Sequence, residues 1–74
     1  MLIGVPKEIK NHEYRVGLTP SSVAELLSFG HQVMVEHNAG DAIDFSDEQY
    51  LQAGALIVRT PKEIYQRAEM IVKV

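Results

Sequence analysis

Between Pro6 and Leu18 the chain concentrates side chains suited to ionic chemistry: Lys7, Glu8, Lys10, His12, Glu13 and Arg15, with no clear hydrophobic period. Arg15 is the strongest candidate for ligand binding. Its guanidinium presents a planar fork of donors that grips a carboxylate through two parallel hydrogen bonds, which suits a small keto or amino acid. The competing reading is a surface arginine, or one paired with Glu8 or Glu13, since most loop arginines hold no ligand. Lys7 and Glu8 either face the same ligand or form a solvated turn. His12 is a general acid by type, but a loop histidine without a partner in sequence is usually solvated.

Other chemistries find little support. His12, His31 and His37 are spaced far from any zinc-binding helix pattern, so no metal site is expected, and His31 and His37 flank an apolar strand as structural residues. There is no cysteine, which excludes disulfides, thiolate metal sites and cysteine catalysis. Ala39-Gly40 gives only a faint impression of a phosphate loop. Neither G-x-G-x-x-G nor G-x-x-x-x-G-K-[ST] occurs, so no cofactor-binding residue is expected within these residues. The 10 acidic and 7 basic residues are interspersed and sum to a formal charge of −3, which disfavours nucleic acid and anionic membranes as partners. The apolar start Met1 to Val5 is far too short for a signal core or a membrane span, making the cytoplasm the default location.

The elements that must position these residues follow from apolar runs and their punctuation. Residues 1–5 form a near-continuous apolar run ended by Pro6, as a parallel strand covered on both faces requires. Thr19-Pro20 supplies an N-cap and a first-turn proline for a helix over 20–29, with Val23, Leu26 and Leu27 as its stripe and Gly30 as its stop. A strand over 32–36 alternates around Val33 and Val35, and a loop runs from His37 to Phe45. Ser46 and Gln49 form a capping box for a helix over 46–53, closed by Gly54. A strand over 55–59 follows. Thr60, Pro61 and Glu63 start a helix over 61–68, and residues 70–74 form the last strand. This βαβαβαβ arrangement predicts an α/β fold, a parallel sheet of Rossmann-like or flavodoxin-like type forming a partial domain. In such sheets ligands bind beyond the carboxyl ends of the strands, so the polar loop after the first strand is the expected site. Three short helices cover the two faces thinly, and the chain stops at an apolar strand. The expectation is a piece of a larger domain.

The run Gly4-Val5-Pro6-Lys7-Glu8-Ile9-Lys10-Asn11-His12-Glu13-Tyr14-Arg15-Val16-Gly17-Leu18-Thr19-Pro20 resembles the N-terminal signature of alanine dehydrogenases. The likeness continues through Gly30-His31-Gln32-Val33, Glu36 with Ala39-Gly40, Phe45 to Tyr50, Ala53-Gly54-Ala55 and Ala68 to Val74, and so covers essentially all 74 residues. Proton-translocating nicotinamide nucleotide transhydrogenases share this superfamily with a related opening. The Lys-Glu-Ile-Lys-Asn run and Tyr14 before Arg15 favour the dehydrogenase.

The resemblance implies that residues 1–74 are the N-terminal segment of a substrate-binding domain. Arg15 would bind the carboxylate of pyruvate or L-alanine, and a second substrate lysine would follow Val74. The catalytic histidine and aspartate, the NAD-binding domain and the homo-oligomer-forming parts would all lie downstream. The implied reaction is reversible oxidative deamination of L-alanine to pyruvate and ammonia with NAD, for which this segment alone would be inactive. Rivals of another class are a non-catalytic α/β association module whose edge strand pairs with another copy of itself, and a stand-alone α/β interaction or regulatory module. The receiver-domain version of the latter needs an aspartate after the third strand and acidic residues after the first, where Arg59-Thr60 and Pro6-Lys7 stand instead.

Overall fold

A computed structural model describes residues 1–8 and 15–74. Among the described residues four strands, β1 (Leu2–Val5), β2 (Gln32–Glu36), β3 (Leu56–Val58) and β4 (Met70–Ile71), alternate with three helices, α1 (Pro20–Ser28), α2 (Asp47–Gln52) and α3 (Pro61–Arg67). All pairings are parallel, and the strands form one sheet in the order β3-β2-β1-β4. The α/β fold anticipated from the alternation is therefore present. The strand order is that of the first four strands of a dinucleotide-type doubly wound sheet, not the flavodoxin order.

Each helix begins where a short polar side chain can accept an otherwise unpaired amide. Thr19 Oγ1 accepts from the Ser22 N–H at 3.3 Å, and Thr60 Oγ1 accepts from the Glu63 N–H at 3.4 Å; a proline occupies the first turn after both. At α2 the exchange is reciprocal. Ser46 Oγ accepts from the Gln49 N–H (3.2 Å) and Gln49 Oε1 accepts from the Ser46 N–H (2.7 Å). Gly30 and Gly54, at positive φ, end α1 and α2.

Strand alternation divides the interior into two layers. Ile3 and Val5 of β1, with Val33 and Val35 of β2, point to the face covered by Val23 of α1 and Tyr50 of α2. Met34 and Val58 point to the other face, under Ile64 of α3. Gly4 shares that second face, and a Cβ there would lie 2.7 Å from Ile64 Cγ2 and 2.8 Å from Ala68 Cβ. The missing side chain lets α3 seat directly on the sheet.

Two details depart from the expected elements. The ladder of β4 covers Met70–Ile71 instead of 70–74, because the chain then turns its amides elsewhere. Val72 N–H still reaches Gly4 O (2.9 Å), whereas Val74 N–H donates to Glu8 Oε2 at 3.0 Å. Within the expected loop from His37 to Phe45, Asp41–Ile43 form a 3-10 turn. Asn38 and Asp44 flank it at φ 63° and 65°, a left-handed conformation that Asn and Asp tolerate better than most residues.

Candidate functional site

At the carboxyl ends of β1 and β2 lies a cleft of about 120 Å3. A water requires roughly 10–15 Å3 of such space, so the cleft admits a ligand of several heavy atoms. Lys7, Glu8 and Arg15 supply one side, and Asn38, Ala39, Asp41, Ala42 and Ile43 the other. The sequence pointed to the first side. The second, from the β2–α2 connection, emerges only in three dimensions.

Arg15 lies on the return limb of the connection between β1 and α1, and the residues after it are anchored. Val16 and Leu18 pack against the larger core cluster, Leu18 O accepts from the Tyr50 hydroxyl at 2.7 Å, and Thr19 caps α1. On the outgoing limb, Lys7 N–H donates to Glu36 Oε1 at 2.9 Å. Arg15 is exposed at the cleft and has an interaction partner of its own. His12 and Glu13 lie outside the described residues.

The opposite wall is fixed by Asp47, the first residue of α2. Its Oδ1 accepts from the Asn38 N–H (2.8 Å), and its Oδ2 pairs with His37 Nδ1. His37 is thus engaged just behind the wall. His31 precedes β2, at the opposite end of the sheet from the cleft.

Gly40, read from sequence only as a faint phosphate-loop signal, has a packing explanation. A Cβ at this position would lie 2.7 Å from Phe45 Cβ and 2.9 Å from the Tyr50 hydroxyl. From the core, Tyr50 thus ties the segment after Arg15, through Leu18 O, to the turn at Gly40. Its ring meets Phe45 edge-on, with centroids 6.4 Å apart and an interplanar angle of 81°. Burial pushes its hydroxyl up to about 12, so it remains a neutral donor at pH values where an ordinary phenol already ionises.

With Lys7 and Arg15 positive and Glu8 and Asp41 negative, the cleft has both signs. Glu8 accepts the Val74 N–H, and Arg15 carries the planar donor set suited to a carboxylate. The cleft does not suit a dinucleotide pyrophosphate, because β1 is followed by Pro6, which has no N–H, and not by a glycine run. Among the described residues no group of three or more His, Cys, Asp or Glu could hold a metal ion. No helix among them is long and apolar enough to cross a membrane.

Comparison with known proteins places this chain in a family. Residues 4–74 match the family model described as alanine dehydrogenase/PNT, N-terminal domain. The whole chain is 53% identical to 20% of an alanine dehydrogenase from Methanococcus maripaludis, and 54% identical to 19% of one from Bacillus subtilis. Among solved structures, an L-alanine dehydrogenase matches 99% of the chain with 20% of its own length, at a TM-score of 0.94 and 55% identity. A transhydrogenase from Sinorhizobium meliloti matches 99% of the chain with 21% of its own, at a TM-score of 0.90 and 32% identity. The chain spans about one fifth of the length of these relatives. With its fold, its opening motif and its whole length in agreement, the chain belongs to the alanine dehydrogenase/PNT N-terminal domain family.

Proposed function

We propose that this chain is the opening segment of the substrate-binding domain of an NAD-dependent L-alanine dehydrogenase, and that Arg15 binds the carboxylate of pyruvate or L-alanine. The observation that carries the reading is the position of Arg15, in a cleft at the carboxyl end of β1, in a chain about half identical to alanine dehydrogenases throughout. Arg15 orients the substrate by its carboxylate, and Lys7 adds a second positive charge. NAD, which accepts the hydride in the full reaction, is held by the remainder of the protein. The parent enzyme acts in amino-acid catabolism in the cytoplasm as a homo-oligomer, and this segment alone is inactive.

The test uses the full-length enzyme. Arg15→Lys keeps the charge but loses the fork, so KM for pyruvate rises while that for NADH stays nearly constant. Arg15→Ala is worse. A hydrogen bond to a charged group contributes roughly 1.5–3 kcal/mol, on the order of 10- to 150-fold in kcat/KM. Unaltered alanine and pyruvate kinetics in folded Arg15→Ala enzyme would return Arg15 to a surface role. The transhydrogenase reading is second because its solved relative shares 32% identity against 55% for the dehydrogenase; transhydrogenation between nicotinamide nucleotides without alanine turnover would favour it.

A further inference from the structure

β1 is an inner strand, so the chain leaving its carboxyl end emerges between two neighbours just where the ladder stops supplying hydrogen bonds. Pro6 has no N–H to offer. The next amide, that of Lys7, is taken by a side chain from one neighbour: Glu36, the last residue of β2, accepts it at 2.9 Å. On the other side the direction reverses. Glu8 reaches across to accept the Val74 N–H, beyond β4, at 3.0 Å. Thus two consecutive residues of one limb are tied to opposite neighbours across the point where strand order reverses, the usual ligand crevice of doubly wound sheets.

We propose that Glu36 and Glu8 form a two-sided carboxylate staple that fixes the limb leaving β1, and that Glu36 is a positioning residue for the Arg15 cleft. Glu36 does not line the cleft, whereas Lys7 and Glu8 do. Its influence therefore passes through the Lys7 backbone. Carboxylate bonds to backbone N–H groups are shorter and stronger than neutral ones, and a bond at each side of the limb restrains both its height above the sheet and its lateral position. This inference rests on the carboxylate-binding role of Arg15 for its kinetic consequence, but the staple itself can be measured independently.

In the full-length enzyme, Glu36→Ala is expected to raise KM for pyruvate on the order of 10-fold, the equivalent of one lost charge-assisted bond, with KM for NADH nearly constant. Glu36→Gln retains an acceptor oxygen at similar reach and should restore KM to within about 3-fold of the parent. In an Arg15→Ala background the Glu36→Ala effect should be smaller, because one of the two cations of the cleft is gone and only Lys7 is left to be positioned. Glu36→Met, which keeps the side-chain length without a strong acceptor, replaces Glu36→Ala if that variant does not fold. Amide hydrogen exchange reads the staple directly: Lys7 should exchange faster in Glu36→Ala, and Val74 faster in Glu8→Ala.

Unchanged Lys7 exchange, an unchanged pyruvate KM, or a rise of equal size in the Arg15→Ala background would overturn the positioning role. If Arg15→Ala alone leaves kinetics unaltered while Lys7 exchange still accelerates in Glu36→Ala, the carboxylate-binding reading fails and the staple stands as a structural one.

Discussion

Replacing Tyr50 by Phe removes one oxygen from a fully buried ring and leaves the ring packing in place. What is lost is the 2.7 Å hydrogen bond to Leu18 O, on the limb that carries Arg15. An acceptor deprived of its partner costs about 1–3 kcal/mol when dry, and Leu18 is only partly buried, so water recovers some of it. The expected loss is about 1–2 kcal/mol. For a domain of this size, with a urea slope of about 1 kcal/mol/M, the midpoint should fall by roughly 1–2 M at pH 8. Sulfate in the buffer strengthens burial and brings the transition into range. A second signature comes from pH. Burial raises the phenol from its ordinary 10 to about 12, so the folded state holds a proton that the unfolded chain releases first. The stabilisation is full below pH 10 and is lost as pH rises through 12, a span of about 2–3 kcal/mol that Tyr50→Phe lacks. The two urea midpoints should therefore converge as pH rises from 8 to 11.5. In the full-length enzyme the same variant should raise KM for pyruvate, since the Arg15 limb loses its tether. Equal midpoints at pH 8, with parallel pH trends, would refute the argument that this hydroxyl holds the limb.

Gly40→Ala would place a methyl group 2.7 Å from Phe45 Cβ and 2.9 Å from the Tyr50 hydroxyl; an overpacking cost of about 1–3 kcal/mol is expected, visible as a lower Tm of the full-length enzyme together with a higher pyruvate KM. Asp47→Ala leaves the part-buried Asn38 N–H without its 2.8 Å acceptor, whereas Asp47→Asn keeps one. The alanine variant should lose about 1–3 kcal/mol and accelerate Asn38 amide exchange, and the asparagine variant should lose less. The isolated 74-residue segment should be marginally stable, because its core is small and its edge strands β3 and β4 are each paired on one side only. A dilution series followed by light scattering and thermal melting checks this; cooperative unfolding of a monomer at high temperature would contradict it.

The local signals in the sequence locate the helices and the strands, but not the early end of the β4 ladder or the 3-10 turn at Asp41–Ile43. Thr19-Pro20, the Ser46 and Gln49 box, Thr60-Pro61, Gly30 and Gly54 each act through chain neighbours, and each appears in the structure in the expected role. Short apolar runs, and alternation around Val33 and Val35 in the second, marked the strands for the same reason, and the parallel class followed from their alternation with helices. The motif around Arg15 marked one side of the cleft. Strand order lay beyond sequence reading, since a βαβαβαβ pattern is compatible with both the flavodoxin order and the observed β3-β2-β1-β4. That order decides which loops meet. It places the β2–α2 connection opposite Arg15, brings Glu36 to the Lys7 amide across 29 residues of sequence, and brings Val74 to Glu8 across 66. Tyr50 belongs to a short helix and to the resembling stretch Phe45 to Tyr50, and neither points to its partner at Leu18, 32 residues away. Caps and alternation are decided by neighbours in the chain, whereas a binding cleft is made of contacts between distant segments, so tertiary packing alone determined which residues face Arg15.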